Sequence, residues 1–146
     1  MLDNLLINAI TPHPPIILPE VGGKELQKVE KTVSSMQKLC EEITEVNPET
    51  VVIVTPHSSL NPYFFTVFTG EMLKADFSKF RAPQVNFEFK NDIEFLKTLN
   101  SNIKKDFGKV NQLPPKVPLD HGSGVPLYYL HKAGYRNNVV VINYCA

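Results

Sequence analysis

The sequence predicts an α/β fold with a mixed, largely parallel sheet and flanking helices. Short apolar or β-branched runs alternate with longer segments whose apolar residues recur every three or four positions. Proline, glycine or asparagine bounds most of these runs, as is usual for strands and helices of such folds. The 146 residues are enough for one α/β domain and too few for two comfortable ones. We therefore expect residues 1–146 to form a single domain.

The composition narrows the class of protein. Fifteen basic and fifteen acidic residues give a formal net charge of zero, which argues against a general binder of phosphate backbones. No apolar run is long enough to span a membrane, and the first residues lack the basic region of a signal peptide. We therefore expect no nucleic-acid and no membrane partner. The two cysteines, Cys40 and Cys145, fit reduced thiols in a cytoplasmic protein.

The first part of the chain predicts a strand, a helix and a second strand. Residues 5–10 form a nearly continuous apolar run that predicts a buried strand. Helical spacing of apolar residues predicts a helix over residues 24–46, with Cys40 on its apolar face as a core residue. Residues 50–55 are β-branched and predict the clearest strand. In such a unit the crossover is right-handed, and ligands bind at the carboxyl ends of the strands.

The loop over residues 14–23 carries more apolar side chains than a solvated loop favours. It includes Ile16, Ile17 and Leu18. We expect this loop to pack over a pocket or a neighbouring subunit. Together with a final strand that no helix follows, it predicts a homo-oligomer.

The second part of the chain predicts further strands and helices. Residues 63–69 are rich in aromatics and residues 84–90 alternate polar with apolar, so both predict strands, whereas residues 76–81 are ambiguous. Asn91 begins a segment like a capping box, which predicts a helix over residues 93–107 that Gly108 ends. The remaining predictions are a proline-rich loop over residues 112–118, a short helix over residues 126–131 and a strand over residues 138–144. An α/β chain that stops after a strand is expected to be the N-terminal half of a longer catalytic domain.

Two Thr-Pro-His corners carry the strongest functional signal. His13 follows the first predicted strand, and His57 follows the second. The prolines restrict the backbone on either side of His13 and before His57, which holds an imidazole as a metal ligand requires. Neutral imidazoles suit zinc, iron, copper or nickel. We therefore predict a metal site at His13 and His57; the alternative is two strand-end histidines bonded to nearby backbone.

The segment Asp120, His121 and Gly122 predicts a polar turn with a chemical role. A carboxylate beside His121 can raise its basicity, which suits a general acid or base. The alternative is that Asp120 caps the following segment. His131, at the end of the short predicted helix, is expected to be a surface residue that stabilises the helix dipole. The sequence contains no nucleophile elbow, phosphate-binding loop or dinucleotide fingerprint, so no residue is assigned to an organic cofactor.

The three histidine segments, taken in order, resemble the class III extradiol ring-cleavage dioxygenases, the family of the catalytic subunit of protocatechuate 4,5-dioxygenase. The chain looks most like the AmmeMemoRadiSam system protein B and Memo-like members. The resemblance runs from Leu5 to the closing strand. The matching residues are Pro12, His13, Pro14 and Pro15, then residues 19–22, then Thr55, Pro56 and His57, then residues 119–127.

The resemblance implies the fold of the extradiol dioxygenase catalytic subunits, which is phosphorylase/hydrolase-like. It implies that His13 and His57 bind non-haem Fe(II), with zinc or copper as other possible metals, and that His121 with Asp120 contacts substrate or moves a proton. The activity implied for the intact parent protein is that of an oxidoreductase of aromatic compound metabolism. Its substrates are a small aromatic diol and dioxygen, and the diol ring is opened.

The resemblance also implies a missing ligand. In the family the third metal ligand is a glutamate well downstream of the strand matched by residues 138–144, and this chain ends at Ala146. Glu20 and Asp120 could replace it, but their positions disfavour both. The alternative functions are a Memo-like metal- or peptide-binding protein without dioxygenase activity and a metal-assisted hydrolase.

Overall fold

The structure, a computed structural model, describes residues 4–57, 63–107 and 109–144. Its strands are β1 Thr50–Thr55, β2 Thr66–Phe68, β3 Met72–Phe77, β4 Ala82–Lys90, β5 Asn111–Leu113 and β6 Asn138–Asn143. Its α-helices are α1 Pro19–Gly22, α2 Glu30–Val46, α3 Ile93–Phe107 and α4 His121–Ala133.

A four-stranded sheet in the order β1-β6-β2-β5 forms the centre of the fold, and β3 and β4 form a separate antiparallel hairpin. The pairs β1–β6 and β2–β5 are parallel, whereas β2–β6 is antiparallel. The predicted mixed, largely parallel α/β fold is therefore confirmed. In the described part of the chain, no helix is long and apolar enough to cross a membrane.

Strand β6 is buried because helices cover both of its faces. Val139 and Val141 join the larger core cluster with buried residues of α2 and α4, and Val140 and Ile142 join a smaller cluster with Leu96 of α3. A strand covered on both faces has a continuous apolar sequence, as β6 has. The parallel register of β1 and β6 places the carboxyl ends of both strands at one edge of the sheet.

The predicted strand over residues 5–10 is wrong. These residues adopt no regular structure, and Leu5, Leu6 and Ile10 are 54%, 59% and 101% exposed. An apolar run forms a strand only if its backbone finds a pairing partner, and no described strand pairs with this segment. The predicted strand–helix–strand unit is therefore not formed. The parallel neighbour of β1 is β6.

The predicted helix over residues 24–46 begins later than expected. Residues Gly23–Val29 form a 3₁₀ helix, and only Glu30–Val46 is α-helical. The helix ends at Asn47, which has the left-handed φ of 53° and donates its backbone N–H to the Ile43 carbonyl. Its buried residues are Val33, Met36 and Cys40, which confirms the predicted apolar face.

The middle of the chain differs from the predictions in its short strands. The predicted strand over residues 63–69 is reduced to β2, whereas the predicted strand over residues 84–90 lies within β4. Strands β3 and β5 were not predicted. Strand β5 has only three residues, and β3 ends within the ambiguous segment over residues 76–81.

The predicted helix over residues 93–107 is confirmed as α3, but its cap is a different residue. Asp92 Oδ1 accepts a hydrogen bond of 2.9 Å from the Phe95 N–H. The Asn91 amide instead donates to the carbonyls of Phe68 and Gly70. The predicted end at Gly108 lies outside the described residues.

The apolar loop over residues 14–23 packs on the core of its own chain. Ile17 and Leu18 are completely buried in the larger core cluster. The Tyr129 hydroxyl donates to the Ile17 carbonyl, and the Tyr128 hydroxyl donates to the Glu20 carboxylate at 2.9 Å. The loop therefore gives no support to a subunit interface, and the homo-oligomer stays a prediction.

Candidate metal centre

The structure brings His13, His57 and His121 together near the carboxyl end of β1. The ring centroids of His13 and His57 are 4.8 Å apart, those of His57 and His121 are 4.4 Å apart, and those of His13 and His121 are 6.0 Å apart. The Nε2 atoms of His13 and His57 approach to 2.9 Å. The two Thr-Pro-His corners are therefore neighbours, and their role as metal ligands stays a prediction.

Two different local structures hold these first two histidines. His57 follows the end of β1, and its backbone N–H donates to Thr55 Oγ1 at 3.4 Å. His13 does not follow a strand. It precedes a 3₁₀ turn in which the Ile17 N–H donates to the Pro14 carbonyl at 3.1 Å, and buried Ile17 anchors this turn in the core. The residues that follow His13 therefore position this corner by packing in the core, and among the described residues no strand precedes it.

His121 is the first residue of α4, and Asp120 is the N-cap of this helix. Asp120 Oδ1 accepts a hydrogen bond of 3.1 Å from the Ser123 N–H. The helix predicted over residues 126–131 therefore begins five residues earlier, and the polar turn predicted here is wrong. Asp120 caps the following segment, which was the structural alternative for this residue. Its participation in proton transfer stays a prediction.

Gly122 allows the start of α4 to approach the end of β1. A β-carbon on Gly122 would overlap Thr55 Oγ1 and lie only 2.6 Å from His57 Cδ2 and 2.9 Å from Asp120 Oδ1. Real β-carbons almost never make contacts this short. The glycine beside His121 is therefore needed for the approach of the helix to the strand, and this approach sets His121 beside His57.

The surroundings of His121 favour its neutral form. Burial lowers the pKa of His121 below its ordinary value, and the neighbouring His57 lowers it further. Asp120 acts in the opposite direction, as its position in the sequence suggested, but its effect is smaller than that of burial. The lowered pKa favours the neutral imidazole of His121, which can accept a proton, over the imidazolium.

The His13 and His57 pair has a spacing that fits one cation. Two imidazole nitrogens about 2.1 Å from the same metal and at a right angle to each other are about 3 Å apart. The observed separation of 2.9 Å is close to this value. Without a cation, the same separation fits a hydrogen bond in which one Nε2–H donates to the other Nε2.

A third protein ligand is not found beside this pair. Among the residues that the structure describes, no group of three or more His, Cys, Asp or Glu side chains is arranged to hold a metal ion. Glu20 is engaged with the Tyr128 hydroxyl and lies 3.9 Å from Lys132 Nζ. Asp120 uses Oδ1 as a helix cap. The site therefore offers two nitrogen ligands. The Glu20 carboxylate has structural partners, whereas Asp120 Oδ2 has no hydrogen-bond partner among the described residues.

An aromatic side chain missed from the sequence borders the three histidines. The Phe80 ring packs edge-on against His121, with centroids 5.6 Å apart and an interplanar angle of 67°. Phe80 is half-buried and lies on the 3₁₀ turn Ser78–Phe80 that joins β3 to β4. The segment around it is the end of β3 and the turn of the hairpin, and neither was recognised in the sequence. The hairpin therefore supplies one wall of the candidate site.

Two further titratable side chains, His131 and Cys40, pack against other residues of the fold. The predicted position of His131 in the last turn of its helix is confirmed, and its half-buried ring also stacks on Phe87, with centroids 5.2 Å apart. Burial lowers the pKa of His131, and Arg136 and Lys132 lower it further. Cys40 is 2% exposed, and burial raises the pKa of its thiol to about 12. The predicted core role of Cys40 is confirmed.

Comparison with known proteins identifies similar sequences. A family model described as the catalytic LigB subunit of aromatic ring-opening dioxygenase matches residues 8–146. Protein CA_C1420 of Clostridium acetobutylicum is 31% identical over an alignment of 145 positions, and the match covers 94% of this chain and 31% of that protein. The chain therefore spans about a third of the length of this relative. The match to the family model includes His13, His57 and His121.

Proposed function

The chain belongs to the family of the catalytic LigB subunit of aromatic ring-opening dioxygenase, and from this premise we propose that it contributes the metal centre of an extradiol ring-cleavage dioxygenase. The approach of the His13 and His57 Nε2 atoms to 2.9 Å carries the proposal, because it is the spacing of two ligands on one cation. Members of this family typically depend on a metal. On this proposal residues 1–146 are the N-terminal half of a longer catalytic domain in the cytoplasm, and the third ligand comes from outside the described residues.

His13 and His57 are the proposed ligands of Fe(II), with zinc or copper as other candidates. Each presents its Nε2 atom to the other, so the histidine whose Nε2 carries the proton must move this proton to Nδ1 before both nitrogens can bind a metal. When it is bound, Fe(II) supplies the redox chemistry that lets dioxygen react with a catecholic ring. The rigid backbone at both prolines keeps the two imidazoles in place.

His121 is the proposed base, and Asp120 positions it. The lowered pKa leaves an imidazole nitrogen of His121 free to accept the proton of a ring hydroxyl at neutral pH. Asp120 fixes the first turn of α4 through its cap and thereby fixes His121. The edge of Phe80 bounds the space beside His121, and aromatic rings favour such edge-to-face contacts. A small aromatic diol is therefore the proposed substrate, with dioxygen as the second one.

A binding function without ring cleavage is the second candidate. It is favoured by the absence of a three-ligand cluster among the described residues. A Memo-like protein of this kind would bind metal at the same two histidines and leave catechols unchanged.

Oxygen consumption separates the two candidates. The longer catalytic protein that contains residues 1–146 is loaded with Fe(II) without air, and a panel of catechols is added in air-saturated buffer. We expect oxygen uptake that matches the appearance of a yellow ring-opened product. The His121→Gln variant should lower the rate by about 100-fold or more, the usual loss on removal of a general base. His131→Gln is the matched control and should retain the rate. If the iron-loaded longer protein consumes no oxygen with any catechol, the binding function is favoured.

A further inference from the structure

Two neighbouring tyrosines tie helix α4 to the loop over residues 14–23. The Tyr129 hydroxyl donates a hydrogen bond to the Ile17 carbonyl. The Tyr128 hydroxyl donates to the Glu20 carboxylate and lies 2.9 Å from one oxygen and 3.1 Å from the other. The bonded residues are 112 and 108 positions apart in the chain, so these contacts exist only in the folded protein. The two hydroxyls therefore attach this loop to α4 at two successive points.

Each of the attached segments carries one histidine of the candidate metal centre. The Ile17 N–H donates to the Pro14 carbonyl at 3.1 Å, and Pro14 directly follows His13. Helix α4 begins at His121, about two helical turns before Tyr129. The ring centroids of His13 and His121 are 6.0 Å apart. The tyrosine hydroxyls therefore join the two segments whose relative position sets this distance.

These hydrogen bonds fix the loop more closely than its apolar contacts do. Ile17 and Leu18 are completely buried, which holds the loop on the core. The hydrophobic effect is not directional, however, so burial alone permits small shifts. A hydrogen bond depends on distance and angle, and it is stronger in the interior than in water. Tyr129 is 3% exposed, so its bond can hold the loop within the tolerance of about 0.5 Å that a metal site needs.

The surroundings keep both tyrosine hydroxyls protonated. Burial raises the pKa of Tyr129 to about 12. Burial also raises the pKa of Tyr128, and the hydrogen bond to Glu20 raises it further. Lys132 Nζ lies 3.9 Å from the Glu20 carboxylate and 5.3 Å from the centre of the Tyr128 ring, which adds a cation to this contact. Both hydroxyls therefore remain hydrogen-bond donors at neutral pH.

We propose that Tyr128 and Tyr129 are positioning residues of the metal centre, which fix the loop that carries His13 against the helix that carries His121. Loss of the Tyr129 hydroxyl releases the Ile17 carbonyl, so the turn after His13 can shift. The His13 Nε2 atom then no longer keeps the spacing from the second proposed ligand that one cation requires. The inference rests on the proposed function, from which it takes the metal ion.

Phenylalanine variants with a matched control test the proposal. Tyr129→Phe and Tyr128→Phe keep the ring and remove only the hydroxyl. The control is Tyr135→Phe, because Tyr135 is 1% exposed and its hydroxyl donates to the carbonyls of Pro48 and Asn138. These carbonyls lie at the amino ends of β1 and β6, whereas the histidines lie near the carboxyl end of β1. The control therefore removes a buried hydroxyl at the opposite end of the sheet.

Cobalt binding is the measurement. The longer protein that contains residues 1–146 is titrated with cobalt, and the double variant His13→Gln, His57→Gln gives the absorbance of cobalt bound elsewhere. Tyr129→Phe should bind cobalt about 10-fold more weakly or worse, and its visible absorbance should change because the ligands are rearranged. Tyr128→Phe should show a smaller effect, since its carboxylate partner keeps the contact with a lysine. Tyr135→Phe should keep the affinity and the absorbance, although its urea midpoint falls as that of Tyr129→Phe does.

The outcomes separate this inference from the proposed function. A wild type that binds no more cobalt than the double variant would overturn both. A wild type that binds cobalt, together with a Tyr129→Phe variant of unchanged affinity and absorbance, would overturn only the positioning role. An equal loss of affinity in Tyr135→Phe would also refute this role, because lost stability alone would explain it. If Tyr129→Phe does not fold, Tyr128→Phe decides, and unchanged cobalt binding in that variant contradicts the proposal.

Discussion

At the scale of single residues, His131 shows how packing controls protonation in this protein. Its ring stacks on Phe87 and lies edge-on to Phe89, with centroids 6.0 Å apart. Burial disfavours the charged imidazolium, and the cations Arg136 and Lys132 disfavour it further, so the pKa in the folded chain is below the ordinary value of 6.5. The unfolded chain therefore binds the proton more readily than the folded chain does.

This difference predicts a dependence of stability on pH. Because the folded-state pKa of His131 is lowered, its contribution to the free energy of unfolding is complete above about pH 6.5 and is lost as the pH falls below that value. His131→Gln should therefore lose less stability than the wild type between about pH 7 and about pH 5 in urea denaturation. The pKa of His121 is lowered as well, so a smaller dependence of stability on pH should persist in this variant. A His131→Gln variant with the full pH dependence would contradict this account.

At the scale of secondary-structure elements, the start of α4 determines the arrangement of the candidate site. Asp120 caps the helix, His121 begins it, and Gly122 lets it contact β1. At Gly124, two residues later, the atom nearest to the position of a β-carbon is Phe77 Cζ at 3.1 Å, which is a milder contact than the overlap with Thr55 Oγ1 at Gly122. Two glycines in the same helical turn therefore differ in what a methyl group would displace.

The pair Gly122→Ala and Gly124→Ala tests this difference. We expect Gly122→Ala to cost about 1–3 kcal/mol of stability, because its methyl group overlaps the end of β1. It should also weaken metal binding, since the His57 ring must move. Gly124→Ala should cost less, because the Phe77 ring can shift. Urea denaturation and a cobalt titration of both variants measure these effects. Equal losses of stability and metal affinity in the two variants would contradict the expected difference.

The sequence predicted the elements whose structure depends on local pattern. The β-branched run was sufficient to predict β1, and the helical periodicity was sufficient to predict α2. Residues 5–10 have an equally apolar sequence, but a strand also needs a partner, which periodicity does not reveal. The start of α4 was missed because Gly122 and Gly124 have low helix propensity, and burial against neighbouring strands compensates for it.

The sequence also predicted part of the candidate site. The matched corners at His13 and His57 predicted two neighbouring imidazoles, and the structure places their Nε2 atoms 2.9 Å apart. The expected reason was two adjacent strand ends, whereas the loop after His13 actually positions it. Phe80 could not be predicted, because it lies in the turn of a hairpin whose first strand the sequence did not reveal.

At the scale of the whole molecule, two structural units meet at the histidines. The end of β1 presents His57, the 3₁₀ turn that follows His13 holds His13, and α4 with the β3–β4 hairpin presents His121 and Phe80. The opposite face of β1 is less covered, since Val52 and Val54 are 41% and 59% exposed. Self-association through such a surface stays a prediction.

The central claim is that His13 and His57 bind one metal ion together. Titration of the chain with cobalt, followed by the visible absorbance of the bound ion, tests it most directly. The account predicts one ion per chain, a loss of affinity greater than about 10-fold for His13→Gln and for His57→Gln, and unchanged affinity for His131→Gln. Both single variants should retain the urea midpoint of the wild type within a small margin. Wild-type cobalt affinity in the double variant His13→Gln, His57→Gln would contradict the claim.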